Sequence, residues 1–202
     1  MKKFGIILGI CITALINFVC FGQDIVLWSP DYEITIEDFK SNQTELNPQL
    51  TTYSAVPGVS IDFSFSNNVL GFAIKKNFNK EVRAILNRDA SVIISPNEKI
   101  TKNLIEYCKY YFDLTELYAR IFRKKIHEEK KAFSKGDFFQ KYFYELQEEM
   151  INESARIYKQ SNLAKNADIF IQERDKIRRS IDSLNYYCNS CKIPKNKKKK
   201  KP

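Results

Sequence analysis

The chain of 202 residues is poor in the residue types from which most catalytic sites are built. It contains one histidine and only six glycines. No glycine-rich run is present that could wrap around a phosphate group. A Ser-His or Cys-His catalytic pair would have to use His127, which stands at the start of the charged run 127–131. We expect this run to form solvated helix surface, so nucleophilic catalysis through His127 is not predicted.

Acidic residues are absent from both ends of the chain. Lysines occupy positions 2 and 3 and seven positions of the segment 192–202, and neither end contains Asp or Glu. Setting these nine lysines apart from the 33 basic residues leaves 24, which equals the number of acidic residues. The net charge of +9 therefore belongs to the two ends. The neutral segment between them lacks the basic surface that nucleic acids require, so no specific nucleic-acid partner is expected.

The first 22 residues are typical of a signal peptide. Two lysines precede the almost uninterrupted apolar stretch 4–21, and Gly22 supplies a small residue at its end. The alternative is a transmembrane anchor, because about 18 apolar residues can just cross a bilayer. A lipid anchor on Cys20 is disfavoured, because large residues precede it. We therefore predict an exported bacterial protein, periplasmic or extracellular, with no transmembrane helix once residues 1–22 are removed.

The last eleven residues, 192–202, form a lysine-rich tail. Its seven lysines are Lys192, Lys195, Lys197, Lys198, Lys199, Lys200 and Lys201. A segment of this composition has too little apolar surface to pack, and we expect it to be disordered. The tail is either a solvated terminus without a partner or an electrostatic attachment to an anionic envelope surface.

Three cysteines remain after removal of the signal peptide: Cys108, Cys188 and Cys191. In an oxidising compartment Cys188 and Cys191 are expected to close locally in a structural role, which leaves Cys108 unpaired. A C-x-x-C pair can also serve redox chemistry or form half of a zinc site. Redox use favours a strand-to-helix turn, whereas this pair follows the last predicted helix, and a zinc ribbon needs a second pair that the sequence lacks.

The order of the predicted elements indicates an α+β domain, with an N-terminal antiparallel or mixed sheet followed by three helices. Short apolar or alternating segments predict strands in the first half of the chain. These strands are expected over 24–28, 33–39, 50–55, 59–65, 69–74 and 92–94, with a turn at 67–68. Helical spacing of apolar residues predicts helices over about 95–131, 138–158 and 166–186. The first of them follows the capping-box pattern Ser95-Pro96-Asn97-Glu98.

Four segments carry a resemblance to a known family. They are Trp28-Ser29-Pro30-Asp31, Thr35-Ile36-Glu37-Asp38-Phe39-Lys40, the alternating stretch 59–65, and the run from Phe112 to Arg123. On these segments the chain resembles a family of secreted bacterial proteins that are regarded as zinc-dependent proteases of unknown physiological role. In that family, a segment similar to 112–123 directly follows the second histidine of an H-E-x-x-H motif. The resemblance implies a zincin-like fold over residues 23–191.

The zinc motif itself is missing from this chain. By the resemblance, Tyr107 and Tyr111 stand at the two histidine positions, and Cys108 stands at the glutamate position. In H-E-x-x-H the histidines bind zinc from one helix face, and the glutamate is the general base for the zinc-bound water. A neutral phenol is a poor zinc ligand, and a thiol does not replace the carboxylate. The family's third histidine falls at Leu163, so the resemblance implies three vestigial ligand positions, a lost base, no metal and no cofactor.

Other residues of the predicted helices do not restore a site. His127 lies twenty residues after Tyr107, which is roughly 30 Å along a helix. Asp113 and Glu116 could act as an acid–base pair, but we expect them to pair with Arg120 on the helix surface. Tyrosines concentrate on the first two helices, where they either fill the core or line a groove that binds a ligand.

The sequence therefore favours an exported, protease-like domain that is catalytically inactive and has a binding or structural role. Its partner would be an unknown protein or peptide. One alternative is an active metal-dependent hydrolase that uses an unrecognised site. Another is a protein whose function lies in the lysine tail, as an attachment to an anionic surface.

Overall fold

A computed structural model describes residues 24–63, 77–129 and 138–193 of the chain. Five predictions lie wholly or partly outside these residues. They are the signal peptide 1–22, the end of the strand 59–65 at 64–65, the turn at 67–68 with the strand 69–74, the end of the first helix at 130–131, and the lysine tail beyond residue 193.

The strands of the described residues form two three-stranded sheets instead of the single sheet that we expected. They are β1 (Ile25–Leu27), β2 (Glu45–Leu46), β3 (Ser54–Val56), β4 (Val59–Phe63), β5 (Val82–Asn87) and β6 (Val92–Ser95). The first sheet has the order β1-β5-β4 and is antiparallel throughout. The second has the order β2-β6-β3, with β2 parallel and β3 antiparallel to β6. The α+β class is confirmed.

Gly58 lies in the short connection between the second sheet and the first. The chain leaves β3 at Val56 and enters β4 at Val59, so only Pro57 and Gly58 connect strands of different sheets. The backbone N–H of Asn87 in β5 donates to the Gly58 carbonyl at 2.8 Å. A Cβ atom on Gly58 would lie 2.2 Å from the Asn87 carbonyl oxygen. Any side chain at position 58 would therefore push this corner away from β5.

The strand predicted over 33–39 is wrong. Residues Ile36–Asp38 form a short 3-10 turn instead. The Asp38 carboxylate accepts hydrogen bonds from the Thr35 backbone N–H at 2.8 Å and from the Tyr32 hydroxyl at 2.5 Å. A side chain that accepts a hydrogen bond from a nearby backbone N–H competes with strand pairing, and here the local bond to Asp38 replaces the strand.

Strand β5 is the centre of the first sheet, and the sequence analysis does not predict it. Val82, Ala84, Ile85 and Leu86 are all buried. A strand that is covered on both faces does not alternate between apolar and polar residues, so the period of two on which the prediction relied is absent.

Three helices follow the strands, as predicted. They are α1 (Glu98–Glu129), α2 (Phe138–Gln160) and α3 (Asp168–Ser183). The cap of α1 is not the predicted Ser95, which is the last residue of β6. Instead, the Asn97 side-chain oxygen accepts from the Ile100 backbone N–H at 3.0 Å.

Helix α1 is the central element of the core, because it contacts both sheets and both other helices. Its buried apolar residues include Leu104, Leu114, Phe122 and Ile126, which belong to one cluster with the buried residues of β5. Within the described ranges, we find no helix whose length and apolar character would allow it to cross a membrane.

Candidate functional site

Tyr107 and Tyr111 lie side by side on α1 and line an open groove of about 410 Å³. Their i, i+4 spacing places both rings on one helix face, with centroids 6.1 Å apart and planes inclined by 19°. The groove lies between α1, the β3–β4 corner and α2. The other residues that line it are Ala55, Val56, Pro57, Val59, Ile151, Ser154, Ala155 and Tyr158. We call this surface the tyrosine groove.

The polar atoms of the tyrosine groove are neutral hydroxyls. The Tyr107 hydroxyl lies 3.2 Å from the Ser154 hydroxyl, and its ring packs on Tyr158 at 4.9 Å between centroids. Burial raises the pKa of Tyr107 to about 12 and also raises the pKa of Tyr111. Both phenols therefore keep their protons at neutral pH. The groove can donate and accept hydrogen bonds and stack against rings, but these phenols are no general base.

Cys108 points away from the groove and is completely buried. Burial raises the pKa of its thiol, so the group stays protonated. A thiol in the core cannot reach a molecule in the groove. The neighbouring Tyr110 is also buried, and its hydroxyl has no hydrogen-bond partner among the described residues.

Leu163 is not among the residues that line the groove. It lies in the turn between α2 and α3, its side chain is exposed, and its carbonyl accepts a hydrogen bond from the Tyr53 hydroxyl at 2.9 Å. Its backbone N–H donates to the Tyr158 carbonyl at 3.1 Å. The structure thus brings two of the three predicted positions together and places Leu163 on an adjacent turn.

The turn that contains Leu163 has a backbone that sequence reasoning missed. Asn162, Leu163 and Ala164 have φ values of 55°, 55° and 64° in succession. The left-handed region costs a residue other than glycine roughly 1–2 kcal/mol. The Ser161 hydroxyl accepts from the Ala164 backbone N–H at 2.9 Å, which helps to hold this conformation. Asn162 is the only sequence signal, since asparagine tolerates this region better than other residues.

The prediction that Asp113 and Glu116 lie on the helix surface with Arg120 is wrong. Each of the two acidic residues is only 2% exposed. Asp113 accepts hydrogen bonds from the Trp28 indole N–H at 2.7 Å, from Arg174 at 2.7 Å and from Arg178 at 2.8 Å. The carboxylate of Glu33 also pairs with both arginines. We call these four charged residues, Asp113, Glu33, Arg174 and Arg178, the Asp113 cluster.

Glu116 forms a second buried group with two arginines of its own helix. It accepts hydrogen bonds from Arg120 at 2.8 Å and from Arg123 at 2.9 Å and 3.2 Å. Arg123 is completely buried and also donates to the backbone carbonyls of Val82 and Tyr187. We call Glu116, Arg120 and Arg123 the Glu116 cluster. Only the Glu116–Arg120 pair of the prediction is confirmed.

The expectation that His127 lies on solvated helix surface holds only in part. The residue is half-buried, and its ring lies 6.2 Å from that of Tyr187 between centroids. The short 3-10 turn Asn185–Tyr187 covers the end of α1, which the charged neighbours of the histidine do not reveal. Within the described residues, no three His, Cys, Asp or Glu side chains are grouped so as to hold a metal ion.

Cys188 and Cys191 form a disulfide with a Cα separation of 5.1 Å, so the predicted local closure is confirmed. Lys192, the one tail lysine among the described residues, is exposed.

No family model matches the chain, and neither a curated protein nor a solved structure does. The resemblance to zinc-dependent proteases therefore stays a prediction.

Proposed function

We propose that the protein is an exported binding protein with a degenerate, zincin-like protease domain, which binds a peptide in the tyrosine groove without cleaving it. The observation that carries this proposal is the pairing of Tyr107 and Tyr111 in an open groove. By the resemblance, these residues occupy the histidine positions of a zinc protease. A concave surface lined by apolar and aromatic side chains with a few polar groups is typical of a binding site.

The absence of catalytic groups from the groove supports binding over hydrolysis. The described residues that line it include three phenols and one aliphatic hydroxyl, and no His, Cys, Asp or Glu. Hydrolysis of a peptide bond by the family route needs a metal ligand set and a base. The base position, Cys108, faces the core.

An extended peptide is the occupant that the surrounding strands favour. Among the described residues, β3 pairs only with β6, and Ala55 and Val56 of this edge strand line the groove. A peptide can add to such an edge through backbone hydrogen bonds while alternate side chains enter the groove. Val56 and Ile151 are exposed on the strand wall and the helix wall. We therefore expect a peptide with apolar or aromatic side chains at alternate positions.

Selection from a random-peptide phage library against the immobilised protein tests this proposal. A selected peptide should bind the wild-type protein and lose about tenfold or more in affinity to Val56→Asp, because the new charge would be desolvated beneath an apolar side chain. Leu46→Asp is the matched control. Leu46 is 54% exposed and Val56 is 59% exposed, and they lie on the two opposite edge strands of one sheet. Equal loss in both variants, or selection of no binding peptide, would contradict the proposal.

Zinc content and proteolysis separate this proposal from an active hydrolase. We expect the purified protein to hold no stoichiometric zinc by elemental analysis and to leave casein uncleaved. One equivalent of tightly bound zinc per chain would favour the hydrolase.

A further inference from the structure

A second cavity, of about 350 Å³, opens on another part of the molecule, next to the Glu116 cluster. We call it the arginine pocket. Its lining comes from β1 and the residues after it, from β5, from α1 and from the disulfide loop. The polar side of the lining includes all three members of the Glu116 cluster. The apolar side includes Leu27, Trp28, Pro30 and Ala84.

The charge of the Glu116 cluster is not balanced. One carboxylate faces two guanidinium groups, which leaves one positive charge in a cluster whose three residues are each no more than 7% exposed. The remaining bonds of the cluster go to backbone carbonyls, which carry no net charge. Asp113, the nearest buried carboxylate along α1, forms ion pairs with Arg174 and Arg178 and not with the Glu116 cluster. An uncompensated buried charge is costly, and a bound anion would reduce that cost.

Arg120 has a donor that is free to meet such an anion. Arg123 uses all five of its N–H groups in hydrogen bonds to Glu116, Val82 and Tyr187. Arg120 uses Nε on Glu116 and Nη1 on the carbonyls of Ile181 and Leu184. Its Nη2 donates to no residue in the described part of the chain, and Arg120 lines the pocket. The guanidinium carbon lies 5.6 Å from the centroid of the Trp28 ring.

We propose that the arginine pocket binds an organic monocarboxylate with an apolar body. Arg83 also lines the pocket, but it is paired with Asp62, so the excess charge remains a single one. A single charge matches a carboxylate, which carries one negative charge at neutral pH, better than a phosphate monoester with nearly two. Arg120 Nη2 meets the carboxylate, and the apolar side of the pocket, with the Trp28 ring, covers the body of the ligand. This inference does not depend on the tyrosine groove.

The disulfide loop gives the pocket a preformed wall. Cys188, Asn189 and Ser190 line the cavity. The Asn189 side-chain amide donates to the carbonyl of Asn79 at 2.9 Å and to that of Val82 at 3.2 Å. The disulfide between Cys188 and Cys191 closes the same loop. A ligand therefore does not have to order this wall when it binds.

Trp28 supplies the signal for the experiment, because it is the only tryptophan in the chain and it lines the pocket. Phenylacetate, the probe, should change the fluorescence of the purified protein in a saturable manner. Phenylacetamide has nearly the same shape without the charge, so it should bind at least about tenfold more weakly. Equal affinity for the two compounds, or no binding of phenylacetate by fluorescence and by calorimetry, would overturn the proposal.

A pair of variants on β1 tests where phenylacetate binds without removing a residue that supports the fold. Leu27→Glu adds a negative charge at the rim of the pocket and should weaken phenylacetate binding by about tenfold. Ile25→Glu adds the same charge to the same strand outside the pocket and should bind like the wild type. Both side chains are exposed, Leu27 by 48% and Ile25 by 42%, so both variants should fold. Equal weakening in the two variants would show that the carboxylate binds elsewhere and overturn the assignment.

Discussion

The Asp113 cluster and the Glu116 cluster bury carboxylates of equal exposure in different ways. Asp113 and Glu116 lie three residues apart on α1, and each contacts two arginines. In the Asp113 cluster, Glu33 adds a second carboxylate, so two negative charges meet two positive charges. Lys109 also pairs with Glu33, but it has a carboxylate of its own in Glu106. In the Glu116 cluster no second carboxylate of the described residues takes part, and backbone carbonyls accept the other hydrogen bonds that the two arginines make. The comparison shows that hydrogen bonding and charge balance are separate conditions, because the carbonyls around Glu116 accept hydrogen bonds from its arginines without neutralising the second positive charge.

The largest effect is expected from Glu116→Gln. The amide would leave the completely buried Arg123 and the almost buried Arg120 without any negative partner. Removing one partner of a buried ion pair costs about 3–5 kcal/mol, and we expect a loss of that size in the free energy of unfolding from urea denaturation. Glu153→Gln is the matched control, because Glu153 pairs with Arg156 on the surface and should cost at most about 1 kcal/mol. A loss below about 1 kcal/mol at Glu116 would refute the electrostatic account of this cluster.

A smaller effect is expected from Asp113→Asn, because the balanced cluster has a second carboxylate. Arg174 and Arg178 would keep Glu33, and their side chains are 14% and 34% exposed, so water can solvate part of the freed charge. The Trp28 indole could still donate to the amide oxygen. We expect a loss of about 2 kcal/mol in the free energy of unfolding. An equal loss in the free energy of unfolding for Asp113→Asn and Glu116→Gln would contradict the proposed difference between the two clusters.

The smallest effect is expected from Glu33→Gln, which gives the Asp113 cluster the same excess charge as the Glu116 cluster. Burial raises the pKa of Glu33, but the hydrogen bond and charge of Arg174, together with the charges of Lys109 and Arg178, lower it more, so that it lies below its usual 4.5. This contribution to stability is present above about pH 4.5 and is lost as the pH falls through the lowered pKa. Because Glu33 is nearly half exposed, we expect a loss of under about 1 kcal/mol at neutral pH.

Denaturation of the wild-type protein and of the Glu33→Gln variant over the acid range measures this effect. The difference between the two proteins should shrink as the pH falls below about 4.5. A difference that grows on acidification would mean that Glu33 does not act through its charge.

The sequence was a good guide to local structure and a poor guide to these clusters. Helical periodicity predicts all three helices, and the spacing of Tyr107 and Tyr111 predicts that they share a face. Both depend on neighbours within one or two turns. The partners of Asp113 stand 61 and 65 residues away on α3, so no local pattern marks this carboxylate as buried.

Two turns that the sequence did not reveal extend this comparison. Residues 33–39 alternate like a strand, yet a local hydrogen bond from the Thr35 backbone to Asp38 produces a turn. Leu163 has no residue-type signal for a left-handed backbone, because leucine seldom adopts it. Its backbone N–H donates to the carbonyl of Tyr158 in the helix that ends just before it, whereas its carbonyl accepts from Tyr53, 110 residues away in the chain. Only the contact with Tyr53 is tertiary, and no local pattern reveals it.

The length of α1 has a consequence for how the protein unfolds. At about 1.5 Å per residue, its 32 residues extend for roughly 48 Å. Both sheets and the other two helices pack against it, and neither sheet has more than three strands among the described residues. Sheets of this size need a hydrophobic face that another element covers, and both find that cover on the same helix. Slow hydrogen exchange along the middle of α1 and in β5 should therefore report one shared opening event, with a single free energy for both elements.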